Sequence, residues 1–226
     1  MNETAIRLSL GTLSLEGILG LPTQALGIVV FAHGSGSGRF SPRNNFVARH
    51  LQQGKIATLL LDLLSQEEAE DRNKVFDIDL LADRMLWVKQ WLEQDSRTKG
   101  MGIGYFGAST GAGAALQAAS RDSLSIRAVV SRGGRPDLAE SYLSSVLAPT
   151  LLIVGGDDEP VLEMNRAAYR LLACPKRLVI VPGASHLFDE PGTLEQVAKH
   201  ALIWFQQYVR PASEDGRGLQ TQEPAQ

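Results

Sequence analysis

The stretch that decides the fold runs from Met101 to Ala119 and reads MGIGYFGASTGAGAALQAA. It begins with a short apolar run, Met101 to Phe106, of the length typical of a buried strand. The chain then turns through Gly107 to Gly111 and continues as an alanine-rich segment, Ala112 to Ala119, whose composition favours a helix. The pattern therefore predicts a strand, a tight turn and a helix in immediate succession.

The predicted turn carries the pattern Gly-x-Ser-x-Gly, with Ser109 at its centre. Backbone closes in on both sides of such a turn, so the flanking positions need small residues, and Gly107 and Gly111 supply that room. A five-residue motif of this kind is weak evidence alone, and Ser109 could be only a small residue at a helix start. The strand before it and the helix after it favour a nucleophile elbow, a turn that exposes a reactive serine.

Length and composition predict an ordinary globular protein. A chain of 226 residues with 44% hydrophobic and 21% charged residues is consistent with one α/β domain. We expect a single domain over residues 1–210 and a disordered tail over 211–226, which is rich in Gly, Gln, Ser and Pro. No apolar run approaches the ~18 residues that a membrane span needs.

Charge and cysteine content bear on the binding partners and the cellular compartment of the protein. The formal net charge of −3 argues against a nucleic-acid partner, which would require a basic face. The amino terminus, MNETAIRLSL, lacks the basic start and apolar core of a secretory signal. Cys174 is the single cysteine and cannot form an internal disulfide. Together these features predict a cytoplasmic protein.

The order of predicted elements indicates the architecture. From Gly27 onward strands alternate with helices, which predicts a mainly parallel, twisted sheet of about eight strands with helices on both faces and no cap domain. Residues 65–74 are interpreted as a charged, solvated loop whose carboxylates show no partner pattern in the sequence. The predicted strands are 6–10, 13–21, 27–32, 56–64, 101–106, 126–131, 150–154 and 177–181, and the predicted helices are 42–53, 77–93, 112–119, 138–147, 161–172 and 193–209.

Polar groups follow four of the predicted strands. They are His33-Gly34-Ser35, then Ser109, then the pair Asp157 and Asp158, and finally His186. Because the carboxyl ends of parallel strands meet at one edge of the sheet, we expect these groups to converge there. The chain order serine, aspartate, histidine is the one that α/β-hydrolases use.

Each group has a chemical role in that interpretation. Ser109 is a weak nucleophile and needs a base, His186, that takes its proton and returns it to the leaving group. An aspartate holds the imidazole tautomer and stabilises the imidazolium. The developing oxyanion needs backbone donors, for which the N–H groups of Thr110 and Ser35 are the candidates.

The chain resembles the α/β-hydrolase superfamily and, within it, the dienelactone-hydrolase-like group, over nearly all of Ile6 to Val209. The resemblance rests on HGSGSG, GASTG, GGDDEPV and PGASHLF, which begin at residues 33, 107, 155 and 182. In that group the acid lies in a G-x-x-D-x-x-V pattern, and residues 155–161 match it with Asp158 as the acid. Asp157 is the alternative.

One position departs from the resemblance. Dienelactone hydrolases proper use a cysteine nucleophile, whereas position 109 is serine, and this favours ordinary esterase chemistry over a dienelactone substrate. Some similar proteins resemble hydrolase domains fused to phosphoribosyltransferases, and we expect 226 residues to leave no room for such a partner.

Several residues also have structural interpretations. Asp157 or Asp158 could be a helix N-cap, and His33 is expected to shape its loop through hydrogen bonds. Arg132 and Arg135 could recognise an anionic substrate group, or they could be solvated and paired with nearby carboxylates. No grouping has the spacing of a metal site, and the glycines after His33 lack a nucleotide-loop pattern, so neither a metal nor a cofactor is predicted.

The sequence therefore predicts a serine hydrolase for a small carboxylic ester, thioester or lactone, working through an acyl-enzyme on Ser109. The alternatives are a non-catalytic binding protein of the same fold and lactone hydrolysis of the dienelactone-hydrolase type. We expect an open groove lined by the loops at Ser35, Ser109, Arg132 and His186, which would favour short acyl chains.

Overall fold

A computed structural model describes residues 2–11 and 13–210 of the chain, and these residues form one eight-stranded sheet. The predicted tail, residues 211–226, lies outside the described residues. The strands are β1 (Asn2–Leu10), β2 (Leu13–Leu21), β3 (Ile28–Ala32), β4 (Ala57–Leu61), β5 (Ile103–Ala108), β6 (Ile126–Arg132), β7 (Thr150–Gly155) and β8 (Lys176–Val181).

The strand order is β1-β2-β4-β3-β5-β6-β7-β8. Strand β2 pairs antiparallel with both β1 and β4, whereas every pair from β4 through β8 is parallel. The strand order changes direction between β3 and β5, so the carboxyl ends of these two strands open a crevice of the kind that binds ligands in such folds. The predicted fold class, a mainly parallel α/β-hydrolase sheet, is confirmed.

Helices cover both faces of the sheet. Successive strand residues contribute to two separate apolar clusters: Ile28 and Val30 belong to one, and Val29 and Phe31 to the other. This alternation places the clusters on opposite faces. The helices are α1 (Pro42–Gln53), α2 (Gln66–Glu70), α3 (Arg72–Val75), α4 (Ile78–Gln94), α5 (Thr110–Arg121), α6 (Glu159–Leu171) and α7 (Thr193–Tyr208), with a 3₁₀ segment at Pro136–Ser145.

Strand β5 lies in the middle of the sheet, and all six of its residues are buried. Tyr105 packs in the cluster that holds residues of α4 and α5, and Phe106 packs in the cluster that holds residues of α1 and α7. The Phe106 ring lies 4.8 Å from that of Phe31, centroid to centroid. A strand buried on both faces is apolar throughout, which explains its sequence.

Helix α1 begins and ends where local chemistry predicts. The Ser41 hydroxyl accepts a hydrogen bond from the Asn44 N–H at 3.4 Å, and Pro42 occupies the first helical position. Gly54 follows the last helical residue. These signals depend on neighbouring residues only, so the sequence contains all of them.

The segment from Ser65 to Val75 differs from the predicted solvated loop, because it forms α2 and α3. Ser65 and Glu68 form a capping box: the Glu68 N–H donates to Ser65 Oγ at 3.2 Å and the Ser65 N–H to Glu68 Oε2 at 3.0 Å. Glu68 also pairs with Arg84 at 2.8 Å. Glu68 therefore has a partner that no pattern in the sequence indicated.

The helix predicted over 138–147 is also different. The structure has a 3₁₀ segment, Pro136–Ser145, that is kinked at Ala139, where φ is −120° and ψ is 22°. Among the described residues, only this segment lies between β6 and β7, and only α2 and α3 lie between β4 and α4. The described chain therefore has no cap domain over the carboxyl edge of the sheet.

Candidate active site

Ser109 connects the end of β5 directly to the start of α5. Its backbone has φ 50° and ψ −122°, a conformation that costs a non-glycine residue about 1–3 kcal/mol. Two hydrogen bonds hold it there: the Ser109 N–H donates to the Arg132 carbonyl at 3.2 Å, and the Arg135 N–H donates to the Ser109 carbonyl at 3.0 Å. The strain at Ser109 is thus maintained by the loop that follows the neighbouring strand β6.

The two motif glycines are sterically required. A Cβ at Gly107 would lie 2.4 Å from the Cα of Ala112, and a Cβ at Gly111 would lie 2.3 Å from the carbonyl oxygen of Ala32. Both obstacles are backbone atoms, which cannot move aside as the end of a flexible side chain can. The sequence interpretation of the turn therefore has a direct geometric basis.

We expect Gly111→Ala to destabilise the protein. Forcing a methyl group against the backbone of β3 costs about 1–3 kcal/mol, which corresponds to a fall in Tm of roughly 2–10 °C for a chain of this size. The measurement is thermal unfolding followed by circular dichroism.

Gly113→Ala on the same helix is the matched control. Its Cβ would lie 3.1 Å from the Arg135 carbonyl oxygen and 3.1 Å from Leu138 Cβ, a milder conflict. The higher helix propensity of alanine, about 1 kcal/mol over glycine, offsets part of that cost. Equal Tm values for the wild type and Gly111→Ala would contradict the steric account.

Asp158 and His186 are joined by a hydrogen bond of 2.7 Å between Oδ2 and Nδ1. Asp158 stands at the N-cap position of α6, yet its side chain caps no backbone N–H of that helix. A carboxylate can only accept, so Nδ1 of His186 carries the proton and Nε2 is free to accept one. The His186 side chain is 37% exposed and that of Asp158 is 13% exposed, so the ring is accessible while its partner is sheltered.

Asp157 has a different environment. Its side chain is exposed, and its backbone N–H donates to the Ala184 carbonyl at 3.0 Å. This bond ties the loop after β7 to the loop after β8 without using the carboxylate. Of the two aspartates that the sequence left open, the structure brings Asp158 to His186.

The loop that carries His186 is anchored by two residues that the sequence interpretation missed. The Ser185 N–H donates to Glu190 Oε2 at 3.0 Å, and this hydrogen bond lowers the pKa of the Glu190 carboxyl. Phe188 is buried and has a φ of 57°, so the loop turns tightly around its ring. A buried phenylalanine in a polar loop was the available signal, but its direction depends on the tertiary packing.

Gly133 lies between the elbow and the histidine loop. Its φ is 50°, and a Cβ there would lie 3.1 Å from the His186 carbonyl oxygen and 3.6 Å from His186 Cε1. The neighbouring residues Arg132 and Arg135 hold Ser109 through their backbones. In the described chain no hydrogen bond joins the Ser109 hydroxyl to His186, and such bonds often tighten only when substrate is bound.

Ser35 lies beside Thr110, as predicted for the two oxyanion donors, but its N–H is already engaged. It donates to Thr110 Oγ1 at 2.9 Å, across 75 positions of sequence. The loop also lies against the elbow, since a Cβ at Gly34 would be 3.0 Å from Ser109 Cβ. In this structure the Ser35 N–H is therefore engaged by Thr110, and its role as an oxyanion donor stays a prediction.

His33 uses both ring nitrogens within its own surroundings. Its Nδ1 lies 2.9 Å from the Gly34 carbonyl oxygen, and the Leu63 N–H donates to its Nε2 at 3.3 Å. A backbone N–H can only donate, so Nε2 accepts and Nδ1 carries the proton. His33 thereby joins the loop after β3 to the end of β4, in agreement with the predicted structural role.

The two arginines considered for substrate binding are placed differently. Arg135 makes a two-point ion pair with Asp137 at 2.9 and 2.7 Å. Arg132 is buried; its Nη2 donates to Asn44 Oδ1 at 3.3 Å, and its Nε has no partner among the described residues. Burial, with a contribution from the charge of Arg43, lowers the pKa of Arg132 to about 10, so it remains a cation at neutral pH.

A pocket of about 1060 Å³ adjoins the elbow on the side of the 33–38 loop. Its lining includes Gly34, Ser35 and Thr110, and extends to Asp62 and to the α2–α3 segment. This cavity is not the groove that the sequence predicted, because Ser109, Arg132 and His186 are not among its lining residues. The short helices α2 and α3, predicted to be a solvated loop, supply one wall.

The polar wall of this pocket is internally neutralised. The guanidinium of Arg39 pairs with both Glu16 and Asp62, and the Arg39 N–H donates to Asp62 Oδ1 at 2.6 Å. Glu16 also pairs with Arg7 at 3.2 Å. The lining also has apolar side chains, which include Leu64, Val75 and Leu81.

Across residues 2–11 and 13–210, no group of three or more His, Cys, Asp and Glu side chains could hold a metal ion, and none of the helices has the length and apolar character of a membrane span. Cys174 is buried away from the elbow, beside Thr150, and burial raises the pKa of its thiol. A buried thiol of this kind is a poor nucleophile.

The sheet topology, the strand–serine–helix turn and the absence of a cap in the described chain define an α/β-hydrolase. No family model matches the sequence. The crystal structure of a dienelactone hydrolase from Anabaena variabilis is 55% identical, with a TM-score of 0.90 over 92% of this chain and 99% of that one. The chain belongs to the dienelactone hydrolase family.

Two further comparisons are informative. A lidless α/β serine hydrolase from Xanthomonas campestris has a TM-score of 0.72 at 20% identity, over 91% of this chain and 94% of its own, and so shares the fold. A Mycobacterium tuberculosis protein described as "Putative phosphoribosyl transferase" is 54% identical over 205 residues. That alignment covers 91% of this chain but only 46% of the curated relative, so the chain spans about half of its length.

Proposed function

We propose that the protein is a serine hydrolase that cleaves a small carboxylic ester, thioester or lactone, with Ser109, His186 and Asp158 as its triad. The observation that carries the proposal is the 2.7 Å bond from His186 to Asp158, at the same sheet edge as the strained Ser109. A helix N-cap carboxylate that serves a histidine instead of its own helix is arranged for catalysis rather than for folding.

The reaction would proceed in two halves. The Ser109 Oγ attacks the substrate carbonyl carbon while His186 Nε2 takes the hydroxyl proton, giving a tetrahedral oxyanion. Collapse of that intermediate breaks the ester bond, and His186 returns the proton to the leaving oxygen or sulfur. Water then attacks the acyl-Ser109 by the same path, which releases the acid and restores the serine.

Hydrolysis is a better proposal than phosphoribosyl transfer. The curated relatives with that description share only 46% of their length with this chain, whereas the dienelactone hydrolase is matched over 99% of its chain. This chain therefore matches nearly the whole of the dienelactone hydrolase but less than half of the relatives described as phosphoribosyl transferases.

Labelling with a fluorophosphonate probe tests the proposal. Such a probe phosphonylates an activated serine and expels fluoride, so intact-protein mass spectrometry should show one adduct, located on Ser109 by peptide mapping. The Ser109→Ala variant should remain unlabelled. If folded wild-type protein takes no probe, the proposal fails.

The pocket predicts a preference for short acyl chains. Each buried CH₂ contributes about 0.8 kcal/mol, but only where an apolar wall can receive it. Here the ion pairs of Arg39 with Glu16 and Asp62 occupy part of the wall, so we expect kcat/KM for p-nitrophenyl esters to be highest at acetate to butyrate and not to rise beyond. A steady climb from acetate to decanoate, after correction for Ser109→Ala, would reveal a deep apolar acyl site.

A further inference from the structure

The hydrogen bond between Ser35 and Thr110 changes which group can reach an oxyanion. The Ser35 N–H, the predicted second donor, points at Thr110 Oγ1 with a separation of 2.9 Å. An N–H has one proton and cannot make two well-aligned hydrogen bonds at once. As long as this bond is kept, the donor on this side of the elbow has to be another group.

Thr110 itself has a proton to offer. A threonine hydroxyl is one donor and two acceptor sites, and the bond from Ser35 uses an acceptor site only. No oxygen in the described part of the chain accepts from this hydroxyl, although Thr110 is only 4% exposed. Of the four other buried threonines, three find acceptors: the hydroxyls of Thr98, Thr150 and Thr193 each donate to a backbone carbonyl at 2.7–2.9 Å. The hydroxyl of Thr58 accepts from Gln52 Nε2 at 2.8 Å.

The Thr110 hydroxyl lies at a position where a negative charge on the substrate would be stabilised. Thr110 directly follows Ser109 and is the first residue of α5, where backbone N–H groups and the helix dipole favour negative charge. It also lines the pocket beside the elbow, so a substrate there can reach it. A hydroxyl that already accepts a hydrogen bond is polarised by it and becomes a better donor.

We propose that the Thr110 hydroxyl donates a hydrogen bond to the tetrahedral oxyanion, and that the Ser35 N–H supports it by holding Thr110 Oγ1 in place. This proposal rests on the serine hydrolase function proposed above. The Thr110 N–H supplies the other hydrogen bond, so one residue provides two donors. No proton is transferred in this step, because the hydroxyl remains a hydroxyl throughout.

Three substitutions at this position test the proposal with p-nitrophenyl acetate. Thr110→Val keeps the branched shape and removes the hydroxyl, and should lower kcat about 10²–10³-fold with little change in KM. Thr110→Ala should lose activity to a similar extent, whereas Thr110→Ser keeps the hydroxyl and should stay within a few-fold of wild type. Thermal unfolding of each variant shows whether the fold is retained.

An aryl trifluoromethyl ketone gives a second readout. The Ser109 Oγ adds to its carbonyl carbon and His186 takes the proton, so the adduct carries a stable oxyanion in place of the transient one. The inhibition constant should weaken in Thr110→Val by about the factor lost in kcat/KM, and should be retained in Thr110→Ser. If Thr110 had only a structural role, the loss of inhibitor affinity would not match the loss in kcat/KM.

Three outcomes would overturn the inference while the proposed function stands. They are a Thr110→Val variant with wild-type kcat, a Thr110→Ser variant as slow as Thr110→Val, and a Thr110→Ala variant that is faster than wild type because the hydroxyl had blocked the oxyanion position. If the wild type does not hydrolyse the ester, or if Ser109→Ala hydrolyses it equally fast, the proposed function and the inference both fail.

Discussion

Ser109→Ala should lower kcat for ester hydrolysis by about 10⁶-fold, the scale seen when a serine hydrolase loses its nucleophile. The single cysteine cannot replace it, because Cys174 is buried beside Thr150, remote from the elbow. The measurement is steady-state hydrolysis of p-nitrophenyl acetate, with enzyme concentration raised for the variant and the uncatalysed rate subtracted.

The fold should survive this substitution. Alanine removes one oxygen, and the two hydrogen bonds that hold the elbow, to Arg132 and from Arg135, are made by the backbone of residue 109. Ser120→Ala is the matched control on the same helix, since the Ser120 hydroxyl donates to the Gln117 carbonyl at 2.7 Å and lies away from the site. Turnover by Ser109→Ala above one-hundredth of the wild-type rate would refute the nucleophile assignment.

The second large effect is expected at the acid. Asp158→Asn should lower kcat by about 10⁴-fold, the loss measured when a triad aspartate becomes an amide. An amide can offer an N–H to His186 Nδ1, which favours the wrong tautomer, and it no longer stabilises the imidazolium. The volume is nearly unchanged, so thermal stability should change far less than activity does.

Asp157→Asn is the internal comparison for that prediction. Its carboxylate is exposed, and only its backbone N–H is used, in the bond to the Ala184 carbonyl. We therefore expect activity within a few-fold of wild type. The opposite ranking of the two variants would move the acid to position 157 and would require the loop after β7 to rearrange on substrate binding.

Local signals in the sequence predicted the bounds of some elements well. Elsewhere the same kind of signal was overlooked or was not sufficient. The bounds of α1 followed from Ser41, Pro42 and Gly54, which act within one turn of the helix. The short helix α2 was missed although Ser65 and Glu68 have the spacing of a capping box. The many charges of that segment suggested a solvated loop, and charge alone does not say whether a residue such as Glu68 has a partner like Arg84.

The predicted helix over 138–147 failed for a different reason. Its apolar residues have helical spacing, but the segment folds as a kinked 3₁₀ element. Asn165 on α6 donates to the Gly134 carbonyl at 2.9 Å, and Arg135 donates to the Ser109 carbonyl, so the start of this segment is tied at two distant points. Such constraints from distant parts of the chain override local helix propensity.

The sequence by itself determined the parallel sheet, the elbow at Ser109 and the gathering of Ser109, the aspartate pair and His186 at one edge. These follow from short-range patterns, because strand and helix periodicity dictates the order of elements and right-handed crossovers bring the carboxyl ends of parallel strands together. A single chain is enough to recognise them.

Only the tertiary structure decided which aspartate meets His186, where the pocket opens, and that the Ser35 N–H is taken by Thr110 across 75 positions. Each of these depends on how far a loop extends past its strand and which way one side chain turns. Differences of about 1 Å decide whether a hydrogen bond forms, because its strength falls steeply with distance and angle. The spacing of residues along the chain does not contain that information.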